Sequence, residues 1–138
     1  MKNILLASAL LTSSALIPAF AADYVIDTKG AHASINFEAS HLGFSVLAGR
    51  FNEFSGNFSY DKDNIAASKI SVTINTASFD SNHDKRDKHV RSDDFLDVGK
   101  YAQATFVSNK VTEKGAGKLE IAGDLTLHGV TKPLVIDA

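Results

Sequence analysis

A chain of 138 residues suits a single domain, and its 14 Lys and Arg against 16 Asp and Glu give a net charge of −2. That balance supplies no basic surface for nucleic acid or for an anionic membrane. There is no cysteine, which excludes disulfides, thiol chemistry, cysteine zinc sites and a lipidated N-terminal cysteine.

Residues 1–21 have the form of an export signal. Lys2 supplies the positive start, Ile4 to Leu11 begins an apolar core, and Ala19-Phe20-Ala21 is a small-residue cleavage site. Thr12, Ser13, Ser14 and Pro18 break the apolar run, which is short for a membrane span. Cleavage after Ala21 removes Lys2, so 13 bases face 16 acids and the mature charge is −3. A small exported domain without disulfides must be stable through its hydrophobic core, which suits the bacterial periplasm. The expected division is therefore a signal over 1–21 and one domain over 22–138.

Tyr24 to Asp27 can form a first short strand. Ala33 to Ser40 alternates, with Ala33, Ile35, Phe37 and Ala39 on one face and Ser34, Asn36, Glu38 and Ser40 on the other. His41-Leu42-Gly43-Phe44-Ser45 interrupts the pattern, and Gly49 allows a turn or bulge. Phe54, Gly56, Phe58 and Tyr60 share the next inner face, where Gly56 leaves room for a close approach. After a turn at Asp61-Lys62-Asp63-Asn64, Ile70, Val72 and Ile74 alternate against Ser71, Thr73 and Asn75.

His83 to Phe106 is unlike the rest. From Asp84 to Lys100 five acids stand among five bases. Asp84–Lys88 and Asp87–Arg91 have the favoured helical i,i+4 order. Asn82 is the expected N-cap, and Ser92 can recap a second turn. A broken, charge-laced helix results, dipping Val90, Phe95 and Leu96 into something apolar. Thr105 to Val111 is a weaker strand of unclear inner face. Gly115 and Gly117 mark a hairpin, and Leu119, Ile121, Gly123 and Leu125 line one side of the cleanest strand, Lys118 to Thr126. A turn at His128-Gly129 and a strand from Leu134 to Ile136 follow.

Six or seven strands joined by short turns predict an antiparallel meander. One charged helix cannot cover its apolar face, so closure into a barrel is the expected solution. Such a barrel either fills itself with side chains or holds one small ligand. The chain stops at Val135-Ile136-Asp137-Ala138, inside what reads as a strand, so a fragment with an incomplete barrel is expected.

Three motifs together carry a resemblance. They are Ala22-Asp23-Tyr24-x-Ile26-Asp27 with His32 and His41-Leu42-Gly43-Phe44; His83-x-x-Arg86-Asp87-x-His89-x-Arg91-Ser92-x-x-Phe95; and Gly123-Asp124-Leu125-Thr126-Leu127-x-Gly129-Val130-Thr131-Lys132-Pro133. The chain resembles the YceI-like family of periplasmic polyisoprenoid-binding proteins along its whole length. Tyr101-Ala102, where a Tyr-Pro is common, is a small departure at a turn. The resemblance implies a mainly β, lipocalin-like antiparallel barrel with one short charged helix, in a family whose members run on beyond the equivalent of Ala138. It also implies an apolar tunnel and a carrier or storage role rather than an enzyme.

The tunnel wall so implied comprises Ile35, Phe37, Phe54, Phe58, Tyr60, Val72, Ile74, Phe95, Leu119, Ile121 and Leu125. From spacing alone that row reads as packed core, since small barrels often fill themselves; the resemblance reverses that preference in favour of a tunnel wall. His83, Arg86, His89 and Arg91 are the candidate tunnel mouth and head-group contacts. Arginine can grip a phosphate with two hydrogen bonds, yet Asp87 is an equally available partner for Arg91. A structural ion-pair network is the preferred reading, in which Asp87→Ala and Arg91→Ala lower the melting temperature alike.

The expected partner is a long isoprenoid lipid, quinone-like or polyprenyl, with no nucleic acid and no stable membrane insertion; a monomer and a dimer are both allowed. Neither cofactor nor metal is expected. His83 and His89 lie about 600° apart around a helix, and no H-x-x-x-H or H-E-x-x-H pattern occurs. Two other classes stay open. One is a secreted interaction or stress protein without lipid. The other is a small periplasmic enzyme acting on a lipid through Arg86, Asp87, His89 or Ser92, although no nucleophile elbow or phosphate loop is present.

Overall fold

Period-two patterning dictates strands, and the computed structural model, which describes residues 22–30 and 32–138, contains nine of them and one α-helix. The expected export signal, 1–21, lies outside the described residues. The strands are β1 (Ala22–Val25), β2 (Ile35–His41), β3 (Ser45–Phe51), β4 (Phe54–Tyr60), β5 (Lys69–Asn75), β6 (Phe79–Asp80), β7 (Gln103–Gly115), β8 (Lys118–Leu127) and β9 (Val130–Asp137); α1 is Asp84–Arg91. None of the described helices is long and apolar enough to cross a membrane.

Every pairing is antiparallel. The large sheet has the order β1-β4-β5-β7-β8-β9, and the small sheet β2-β3-β6. The chain is therefore not a simple meander. The β2–β3 hairpin is set aside into the second sheet, and β1 pairs with β4 across it. Asn52-Glu53 carries the chain from β3 into β4, and a 3-10 turn at Thr76–Ser78 carries it from β5 into β6. The edges β1 and β9 have no further strand beside them among the described residues, so the large sheet is open.

Gly49 is not the expected turn. It lies inside β3 opposite Phe37, and an added Cβ would strike both that ring and, at 2.6 Å, the Asp80 carbonyl oxygen. The room left at Gly56 is taken by Ile26, whose Cδ1 would stand 2.6 Å from an added Cβ. Both glycines admit a close neighbour from the same chain.

β7 is longer than its sequence suggests because it contains a bulge. Ser108 pairs with Gly123 and Lys110 with Ala122, leaving Asn109 as the extra residue. The bulge brings Phe106 and Val111 to the same face although they are an odd number of residues apart, and both are buried. Val107 points to the other side and is exposed.

The helix start also differs from expectation. Asn82 takes a left-handed conformation (φ 61°), which asparagine tolerates, and donates its N–H to Asp80. His83 becomes the N-cap, its Nδ1 accepting from the Arg86 N–H at 3.2 Å. Ser92 closes α1 and starts the second turn as expected, with its carbonyl accepting from Phe95 and Asp97.

Candidate functional site

Opposed residues of an antiparallel ladder share a face, so the pairings define one continuous surface. Tyr24, Phe58 and Ile70 form one row across β1, β4 and β5. Val72, Phe106 and Leu125 form another across β5, β7 and β8. Phe54 and Ile74 lie to one side, and Val111, Ile121 and Ile136 to the other. Leu119 and Tyr60 extend the same face. Only Glu113 and Lys132, at its margins, bring charge to it.

Eight of the expected wall residues (Phe54, Phe58, Tyr60, Val72, Ile74, Leu119, Ile121 and Leu125) thus stand together. Ile74 is buried, whereas Phe58 and Tyr60 remain 36% and 41% exposed. Tyr24 stacks on Phe58 with ring centroids 4.8 Å apart. Below this pair, Phe58, Tyr60, Ile70, Val111, Leu119 and Ile121 supply most of the lining of an apolar cavity of about 90 Å³. Two larger depressions, each of about 430 Å³, have polar-face residues such as Asn57, Ser59 and Lys69, or Glu38, Arg50 and Asp80, on their walls.

The remaining expected wall residues lie elsewhere. Ile35 and Phe37 belong to the small sheet, where Phe37 stacks on Phe79 at 4.8 Å and both pack against Phe51 at 5.8 Å. Phe95 stands on the turn after α1, 54% exposed, with its ring at 5.0 Å and nearly perpendicular to that of His89. A short polar segment held by its own turns has no reason to insert that ring into the sheet.

The four candidate mouth residues do not converge on a common point. His83 caps α1. His89 Nε2 lies 3.1 Å from Asp94 Oδ2. Arg86 donates from Nε to Ser81 Oγ and from Nη2 to the Ser81 carbonyl, each at 2.7 Å. Arg91 donates from Nη1 to the carbonyls of Ala77 and Phe79, each at 3.2 Å. The expected ion pairs Asp84–Lys88 and Asp87–Arg91 are not formed; the ion pairs among the described residues are Lys62–Asp63 and Lys114–Glu120, beside the His89–Asp94 contact. Asp87 is drawn inward instead. It is 6% exposed and accepts from both the N–H and the hydroxyl of Ser81. The helix is fastened to β6 through backbone groups and one serine, a role that charge spacing could not reveal.

Asp80 adds a further polar contact. The Asn82 N–H, and then the Asn52 amide, hold its carboxyl below the ordinary carboxylate range. A depressed folded-state value means that this contact's support is present above the ordinary range and lost as pH falls through the folded value. Among the described residues no three His, Asp or Glu gather closely enough to hold a metal ion.

Sequence reasoning missed Tyr24, Phe106, Val111, Leu134 and Ile136 on the apolar face. Phe106 and Val111 were hidden by the bulge, and Tyr24 by the nonlocal pairing of β1 with β4. Ile70 shared the alternation of Val72 and Ile74 and was legible.

Compared with known proteins, residues 24–138 match a family described as the YceI-like domain. A UPF0312 protein of Vibrio parahaemolyticus is 63% identical over 139 residues, covering 100% of this chain and 74% of that protein. The crystal structure of Burkholderia cenocepacia BcnA superposes with a TM-score of 0.74 at 28% identity, over 80% of this chain and 69% of that one. A polyisoprenoid binding domain from Saccharophagus degradans shares the fold, with a TM-score of 0.58 at 19% identity over 75% of this chain and 60% of that one.

Proposed function

Because the chain belongs to the YceI-like family, which spans its residues 24–138, we propose that it is a periplasmic carrier for a long isoprenoid lipid, quinone-like or polyprenyl. The observation that carries this reading is the apolar face of the large sheet, continuous from Tyr24 to Ile136 and charged only at its margins. A linear hydrocarbon suits such a face. Each methylene covered contributes about 0.8 kcal/mol without needing a directional partner, so chain length is weakly selected. The partial exposure of Phe58 and Tyr60 leaves aromatic surface for the lipid to cover. The Saccharophagus degradans neighbour, a polyisoprenoid binding domain of the same fold, supports this ligand class.

The test is mass spectrometry of the organic extract of protein purified from the periplasm. The parent should release an isoprenoid lipid. Phe58→Asp, which sets an unpaired charge in the face, should keep its strand content and release none. An empty parent, or a folded variant carrying the same lipid, refutes the reading. Export is proposed with cleavage after Ala21, so the exported protein should begin at Ala22 on N-terminal sequencing; a retained Met1 defeats that part.

A further inference from the structure

We propose that α1 is a proton-operated latch: protonation of His83 releases its first turn from β6, whereas protonation of His89 tightens its last. The latch stands apart from the function proposed above and holds whether or not a lipid is carried.

Arg86 joins the two halves of the first-turn contact. Its backbone N–H is held by His83 Nδ1 at 3.2 Å. Its side chain grips the Ser81 hydroxyl and carbonyl, each at 2.7 Å. Ser81 is fixed in turn by Asp87, and both are buried. Because Ser81 directly follows β6, these bonds tie the start of α1 to that strand. Only an unprotonated Nδ1 can accept a hydrogen bond. A proton there strands the Arg86 N–H and sets a cation at the positive end of the helix, so both effects loosen the turn. The support of this cap is present in mildly alkaline solution and lost as pH falls through the range in which imidazoles charge.

The other end responds with the opposite sign. His89 lies in the last turn, where a cation suits the negative end of the helix. Its Nε2 is 3.1 Å from Asp94 Oδ2, so a proton adds charge attraction to a contact already in place.

The neighbouring charges do not reverse these signs. Around His83 stand Asp84, Lys85, Arg86 and Asp87 on α1 and Asp80 on β6. Glu38 and Arg50, of opposite charge, line the depression that Asn82 shares. Asp80 is engaged by Asn82 and Asn52, Asp87 by Ser81, and Lys85 offsets Asp84. The Asn82 and Asn52 contacts hold the Asp80 carboxyl below the ordinary carboxylate range, so it stays ionised while the imidazoles titrate. Around His89, Lys85, Lys88 and Arg91 on α1 face Asp93 and Asp94 on the turn that follows, and Arg91 is engaged by the carbonyls of Ala77 and Phe79.

Opposite responses at the two ends partly cancel in a melting temperature, so the test must be local. Amide hydrogen exchange of the whole chain, read by NMR at about pH 7.5 and about pH 5.5 and corrected for intrinsic rates, separates them. Relative to the amides of β8, protection of the Arg86 amide should fall roughly fivefold on acidification. Protection of the Ser92 amide, which donates to the His89 carbonyl, should rise roughly twofold. His83→Asn keeps an acceptor at the cap without a titrating group, so its Arg86 protection should be the same at both pH values. His89→Gln should abolish the rise at Ser92. Arg86 protection indifferent to pH in the parent overturns the latch, and this measurement decides even where a variant does not fold. A fall that persists in His83→Asn, or one shared equally by β8, overturns it too. A Ser92 amide that loses protection in acid overturns the opposed response of the two ends.

Discussion

Phe79→Ala should destabilise the folded chain by about 3–5 kcal/mol and lower the melting temperature by roughly 10–25 °C. Phe79 is 7% exposed, stacks on Phe37 and meets Phe51 edge-on. Its strand is only two residues long and pairs with Arg50 and Phe51 alone, so the ladder contributes little and the ring contributes most of the hold. The loss should propagate, because the Phe79 carbonyl also accepts from Arg91 and so helps to seat α1. Phe44→Ala removes a ring of equal size from the solvent-exposed hairpin tip and should change stability by no more than about 0.5 kcal/mol. Urea and thermal unfolding followed by circular dichroism measure both. A cost below about 1 kcal/mol for Phe79→Ala means that the aromatic cluster is not what joins β6 to the small sheet.

What the sequence discloses depends on how local each constraint is. Alternation marked β4, β5 and β8 with their inner faces, and since hairpin neighbours share faces, eight residues of the apolar face were legible as a set. β3 was not. Ser45 to Phe51 turns Leu47, Gly49 and Phe51 one way and Val46, Ala48 and Arg50 the other, so its two faces differ too little in polarity to show a period. Ile35 and Phe37 were read correctly as strand residues facing inward. Their assignment to the other sheet depends on β2 pairing with β3 and on β3 pairing with β6, which no local pattern encodes. In β7 the single extra residue Asn109 reversed the phase halfway along, which makes a period-two reading contradict itself. The helix showed its charges but not their partners, because these are the Ser81 side chain and the carbonyls of Ala77, Ser81 and Phe79, brought near by the chain's turn out of β6. The family resemblance supplied what patterning could not, namely a reason to treat the apolar face as a binding surface rather than as filled core.

Those helix contacts overturn the expectation that Asp87→Ala and Arg91→Ala act alike. Asp87→Ala should cost about 2–4 kcal/mol, because it strands the buried N–H and hydroxyl of Ser81, and hydrogen bonds to a charged acceptor are the stronger kind. It also loosens Arg86, which is braced on the same serine. Asp87→Asn keeps one carbonyl oxygen as acceptor and should recover part of the loss. Arg91→Ala releases two backbone carbonyls from a half-buried guanidinium, and water can take its place, so about 1 kcal/mol is expected. Double-mutant cycles separate the pairs. Asp87 with Ser81 should couple by about 1–3 kcal/mol, whereas Asp87 with Arg91 should be additive within about 0.5 kcal/mol. Since Arg91 is engaged with Ala77 and Phe79, its removal should leave the ratio of phosphorylated to neutral lipid in the extract unchanged. Strong Asp87–Arg91 coupling would restore the ion-pair network. A selective loss of phosphorylated lipid at constant melting temperature would instead make Arg91 a head-group ligand, and either result would show that the carbonyl contacts of Arg91 are not its principal engagement.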